Sequence, residues 1–128
     1  MNERKTRVLL SFLETKRMIN GPNYPVSLGW RNGEKALHLA NHIGLYFESG
    51  MSNDRCKYTK YGADPVHLYH TETQDGGRWV VSNQFPYKLD GSTDVLFRSD
   101  LTESLQPPRI GRIDGYAVRF ELLIDIGS

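Results

Sequence analysis

Residues 116–126 read Tyr116-Ala117-Val118-Arg119-Phe120-Glu121-Leu122-Leu123-Ile124-Asp125-Ile126, and their alternation decides the fold class. Tyr116, Val118, Phe120, Leu122, Ile124 and Ile126 share one parity, while Arg119, Glu121 and Asp125 hold most of the other. A period of two turns the apolar side chains of an extended chain to one side. This stretch is therefore expected to be a long β-strand with one buried face.

The same period recurs upstream. Val66/Leu68, Trp79/Val81 and Val95/Phe97 alternate within residues 66–72, 78–83 and 94–98, and Asp75-Gly76-Gly77 predicts that the first two runs form a hairpin. Leu37, Leu39, Ile43, Leu45 and Phe47 fall on one parity, opposite His38, His42, Tyr46 and Glu48. That run predicts a strand, or a tight hairpin broken near Asn41, with the leucine parity as its apolar face. Asn20-Gly21-Pro22, Asn32-Gly33, Asp90-Gly91 and Asp114-Gly115 supply further turn residues that tolerate positive φ.

One segment points to a helix instead. Val8, Leu9, Phe12 and Leu13 share a helical face, and Asn20-Gly21-Pro22 would stop a helix cleanly. The expected architecture is mainly β: a small antiparallel sandwich or partly open barrel of about six to eight strands, with one N-terminal helix packed on it or at its edge. Residues 1–128 are read as a single domain, and Leu105-Gln106-Pro107-Pro108-Arg109 as a rigid connection within it.

Composition narrows the function classes. Sixteen Lys and Arg against fifteen Asp and Glu give a net charge of +1, without the overall basicity of a dedicated nucleic-acid binder. No apolar run approaches the ~20 residues of a membrane-spanning helix, so a soluble chain with no membrane partner is expected. Val8 to Leu13 is an apolar stretch of only about six residues, short of a secretory h-region, and Glu14 follows it without a cleavage pattern. Cys56 is the one cysteine, so no internal disulfide forms. These features favour the cytoplasm, or the interior of a virion or other large assembly, over secretion.

The four histidines form two close pairs, His38/His42 and His67/His70. A helical His38/His42 pair would suit zinc, but Leu39 stands where a metalloprotease helix carries Glu, and the segment alternates with a strand period. In a strand, His67 and His70 point to opposite faces. No metal or other cofactor is therefore expected. Cys56, between Arg55 and Lys57, has cationic neighbours that would lower a thiol pKa, yet nothing in the sequence fixes a base beside it. Asp90-Gly91-Ser92-Thr93-Asp94 lacks the ligand spacing of an EF-hand, and neither phosphate-loop glycine pattern occurs.

The candidate binding residues are aromatic and basic. Arg55, Lys57, Tyr58, Lys60 and Tyr61 interleave in one short segment, a composition suited to stacking and charge neutralisation, and Trp30, before Arg31-Asn32-Gly33, is the best candidate for an exposed aromatic. Because no residues converge on a reaction, the expected function is a non-catalytic module that binds a protein partner or self-associates, such as a subunit of a virion or other large complex. The alternatives are a metal-assisted hydrolase using the paired histidines and a carbohydrate- or nucleic-acid-binding β-module.

Overall fold

A computed structural model describes residues 4–12, 15–17, 23–25, 41–113 and 116–126. Among the described residues ten strands follow one another: β1 (Arg4–Phe12), β2 (Thr15–Arg17), β3 (Asn23–Pro25), β4 (Gly44–Ser52), β5 (Arg55–Lys60), β6 (Val66–Thr73), β7 (Gly76–Ser82), β8 (Phe97–Arg98), β9 (Ile110–Ile113) and β10 (Tyr116–Ile126). Eight of them form one sheet in the order β8-β7-β6-β5-β4-β1-β10-β9, and every neighbouring pair is antiparallel. β2 and β3 pair separately. The two end strands of the large sheet, β8 and β9, lie alongside each other without ladder pairing, so the sheet is a nearly closed barrel.

β10 is the long strand its alternation predicts: Val118 and Phe120 are buried and Arg119 is exposed. The opening segment is a correction. Arg4–Phe12 is a strand and Thr15–Arg17 a second one, so the expected helix does not form over these residues. Val8, Leu10 and Phe12 alternate with a strand period as well as Val8, Leu9, Phe12 and Leu13 share a helical face, and β1 fills the slot between β10 and β4, pairing with both. Two ladders satisfy its backbone at every level they reach, and tertiary context outweighs the local helical reading.

The interior is packed. Val8, Leu10 and Phe12 of β1 meet Tyr46, Tyr58, Leu68, Trp79, Val81, Phe97, Ile113, Val118 and Phe120 in one core. At β4 the expected parity is inverted: Tyr46 is fully buried while Phe47 is exposed and Leu45 half-buried. An eight-stranded barrel leaves room for large inward side chains, and Tyr46 fits because its hydroxyl donates to the His42 carbonyl at 2.6 Å. Burial pushes that phenol well above its usual pKa. The Leu37–Leu39 part of this run lies outside the described residues.

The turns are tight. Asn53 and Asp54, both at positive φ (53° and 63°), join β4 to β5 as a two-residue hairpin of the I′ kind. Gln74 and Asp75 join β6 to β7, with Gly76 already opening the strand. Of the expected 94–98 strand, Phe97 and Arg98 alone join the ladder. The long connection 83–96 folds over the outer face of β6 and β7, which buries Tyr69 and Val80 from outside: Tyr69 donates to the Gln84 carbonyl at 2.7 Å, Phe85 packs edge-on against its ring, and Ser82 reaches the Asp94 carbonyl. Burial, with a smaller contribution from Tyr87, pushes the Tyr69 phenol up to about 12.

Candidate functional site

The connection between β8 and β9, residues 99–109, lies where the barrel fails to close, and buried side chains fix its path. Ser99 N–H donates to the Trp79 carbonyl, and Thr102 N–H to the Gly77 carbonyl, each at 2.9 Å. His70, fully buried on the inward face of β6, is 2.6 Å from the Thr102 carbonyl through Nε2 and 2.8 Å from Asn53 Nδ2 through Nδ1. A carbonyl only accepts, so Nε2 carries the hydrogen and Nδ1 accepts from the Asn53 amide. Trp79 Nε1 donates to the Ser104 carbonyl at 3.3 Å. Arg55 donates to the carbonyls of Asn53, Glu103 and Ser104, and pairs with the Glu103 carboxylate at 3.2 Å. Three side chains, from β5, β6 and β7, thus act on one loop, and Asn53 of the β4–β5 turn holds one of them in place.

The loop so held presents apolar groups to solvent. Leu101, Leu105 and Ile110 are 52%, 70% and 62% exposed. Leu101 rests against Gly76, where an added Cβ would come within 3.3 Å of its Cδ2. Arg98 and Arg109 flank these residues, both exposed, with guanidinium groups that make no hydrogen bond or ion pair among the described residues. Between β8 and β9 runs a cleft of about 500 Å³, lined by Arg98, Asp100, Thr102, Gln106, Ile110 and Arg112. Its floor is closed because Gly111 has no side chain, which lets the Phe97 ring lie against the β9 backbone. Beyond β9 a second groove of about 710 Å³ opens beside β10, with Val8, Phe120 and Leu122 inside and Pro107, Arg109 and Arg119 at its margin.

The sequence-predicted binding segment does not form a single surface. β5 sends Arg55, Lys57 and Thr59 outward and Cys56, Tyr58 and Lys60 inward. Tyr58 is 3% exposed within the core, and Arg55 is occupied by the 99–109 loop. Lys57 lies 4.3 Å above the Phe85 ring, the Lys60 stem packs beside Gly44, and Tyr61 is exposed against Phe47. Trp30 lies outside the described residues. Alternation alone separates the five, because neighbouring residues of a strand cannot share a face.

The reactive groups are placed as follows. The Cys56 thiol donates to Glu48 Oε1 at 3.1 Å, and burial, then this carboxylate, push its pKa up. Arg55 and Lys57, its cationic sequence neighbours, do not offset this, so the thiolate that their nearness in sequence would favour is disfavoured. His67 and His70 lie on opposite faces of β6, as the strand period requires. His67 Nδ1 accepts or donates at 2.9 Å with Thr59 Oγ1, itself 2.7 Å from Ser49 Oγ, in a polar ladder across three outer strands. Burial, then Lys57, lower the His67 pKa. His42 is buried and His38 lies outside the described residues. Among the described residues no three His, Cys, Asp or Glu side chains gather around a common point suited to a metal ion. Asp90 accepts from the Ser92 N–H at 2.8 Å, an Asx turn whose hydrogen bonds hold its carboxyl below the usual range.

Sequence reasoning passed over Leu101, Leu105 and Ile110. The available signal was apolar residues that alternate with nothing, beside Pro107-Pro108, in a stretch read as a connection.

Comparison with protein-family models, curated proteins and solved structures finds no match to this chain.

Proposed function

We propose that the protein is a non-catalytic binding module that docks another protein through the 99–110 loop, as a subunit of a larger assembly. One observation carries this reading: buried His70 and Trp79 and largely buried Arg55 spend their hydrogen bonds on the loop's carbonyls, while Leu101, Leu105 and Ile110 stand exposed on it. A loop ordered in advance loses little conformational entropy on binding, and apolar groups ringed by polar ones are the usual core of a protein interface. The flanking Arg98 and Arg109 favour a partner whose apolar contact is bordered by carboxylates.

The test is selection of peptides from a displayed random library on the immobilised full chain, followed by chemical-shift mapping of the peptides obtained. Selected peptides should perturb residues 99–110, and Leu101→Ser/Leu105→Ser should weaken them at least about tenfold, the loss expected when central apolar anchors are removed. Peptides that map elsewhere and ignore this double variant would overturn the reading, provided the variant keeps the wild-type circular dichroism.

A further inference from the structure

Resting on that reading, we infer how the partner engages: an extended segment, apolar and acidic in alternation, adds as a strand to the open edge of β10 beside the 99–110 loop. β9 ends its pairing at Ile110↔Arg119, so Glu121–Ile126, about 20 Å of strand, is paired with β1 alone among the described residues. Phe120 N–H still donates to the Arg109 carbonyl at 2.9 Å. In an antiparallel strand, residues two apart turn their backbone groups to the same side. Leu122 N–H and C=O therefore point toward the gap that β9 leaves.

The chain is unable to fill that gap with its own next residues. Pro107, which borders it, has no N–H to offer the β10 carbonyls. An unpaired edge with an apolar floor is a template for strand addition, in which main-chain hydrogen bonds supply affinity and side-chain pockets supply specificity.

The groove sets the side-chain chemistry. Its floor is Val8 (1% exposed), Phe120 and half-buried Leu122, which suits an apolar side chain directed inward. Its margin carries the Arg109 and Arg119 guanidiniums, neither partnered among the described residues, against the single carboxylate of Glu121. An added strand alternates inward and outward, so it meets both with apolar residues in one parity and Asp or Glu in the other.

The probes are synthetic octapeptides of alternating valine and aspartate, the valine and lysine counterpart, two N-methylated versions of the acidic peptide with opposite amide parities blocked, and decanoate. Fluorescence anisotropy should show the acidic peptide binding at least about tenfold tighter than the basic one, a preference that Arg109→Gln/Arg119→Gln removes. One N-methylated parity should abolish binding while the other leaves it nearly intact, and the bound peptide should slow hydrogen exchange at the Leu122 amide about tenfold or more.

Equal tolerance of both N-methylated parities, or an unprotected Leu122, would overturn strand addition. Binding of decanoate without any peptide would do the same, by making the groove an amphiphile site. If the acidic peptide instead loses affinity with Leu101→Ser/Leu105→Ser and leaves Leu122 unprotected, strand addition fails while the loop reading stands. A peptide that binds and is indifferent to both double variants refutes the two together.

Discussion

The wall from β4 to β7 and the wall from β8 to β9 enclose the same core by different means. β6 and β7 face each other across seven residue pairs, from His67↔Ser82 to Thr73↔Gly76, and a two-residue turn joins them. β8 offers β7 two pairs and β9 offers β10 four, with eleven residues (99–109) between the two strands. One wall is held by backbone hydrogen bonds between sequence neighbours. The other is held by Arg55, His70 and Trp79, which reach from the first wall to the carbonyls of the second, with Asn53 holding the His70 ring from behind. The ladder consumes backbone polar groups in pairs, whereas the latch fixes a loop and, among the described residues, leaves its apolar side chains exposed and the β10 edge beyond β9 without a second strand. On the proposed reading, the docking surface lies where the fold is closed by side chains instead of by pairing.

The largest expected effect falls on Trp79, which serves both walls. Trp79→Ala should destabilise by roughly 3–5 kcal/mol in urea titration, because it empties a fully buried indole site and releases the Ser104 carbonyl. Phe120→Ala on β10 should cost a similar ~3–5 kcal/mol, while Arg119→Ala one residue away stays within about 0.5 kcal/mol. Equal small losses at Phe120 and Arg119 would mean that β10 has no buried face.

Next comes the contrast between the two histidines of β6. His70→Ala should cost roughly 2–4 kcal/mol, since it leaves a cavity and strips the Thr102 carbonyl of its donor. It should also speed amide exchange through residues 102–104. His67→Ala, on the outer face, should cost under about 1 kcal/mol. If His70→Ala leaves exchange in the loop unchanged, the loop is not held by the latch.

A finer separation concerns Arg55 and Glu103. The Arg55 side chain is 10% exposed and the Glu103 side chain 70%, so the worth of Arg55 lies in its carbonyl bonds and not in the ion pair. Arg55→Ala should cost about 1.5–3 kcal/mol and Glu103→Gln under about 0.5 kcal/mol, both read from denaturant midpoints. Comparable losses in the two variants would move the weight back to the ion pair.

The smallest effect is a pH dependence. The His67 pKa is lowered in the folded state, so the unfolded chain takes up the proton first on acidification. Its contribution to stability is complete above the unfolded value near 6.5 and is lost as pH falls from there through the lowered folded value. His67→Gln should flatten the stability profile over that window, and an unchanged profile would show that the outer polar ladder carries no linked proton.

What was legible in the sequence follows the same division. β10 and the core positions Val66/Leu68 of β6 and Trp79/Val81 of β7 could be read from the sequence, because their period of two survives in the order of residues, whereas the burial of Tyr69, His70 and Val80 could not. β1 misled because Val8, Leu9, Phe12 and Leu13 satisfy a helical face and Val8, Leu10 and Phe12 a strand face. The choice between them depends on β4 and β10, which are distant in sequence. Tyr46 misled by type, since a tyrosine looks like the polar member of a pair with Leu45 until an acceptor such as the His42 carbonyl lies within reach of its hydroxyl. The Asn53-Asp54 turn was missed because it takes positive φ without glycine. The basic and aromatic segment 55–61 was legible as composition and illegible as a surface, because the strand deals its members to two faces.

By itself, then, the order of residues determined that this chain is β-rich and antiparallel and which face of β10 is buried, since these are consequences of a local period. The tertiary structure alone decided that the sheet curls into a barrel, that Cys56 meets Glu48 in place of its cationic neighbours, and that Leu101, Leu105 and Ile110 remain outside. Those outcomes rest on contacts such as His70 with Thr102, 32 residues apart, and Arg55 with Glu103, 48 apart. No local pattern encodes such pairings, because each depends on where an intervening stretch of chain returns in space.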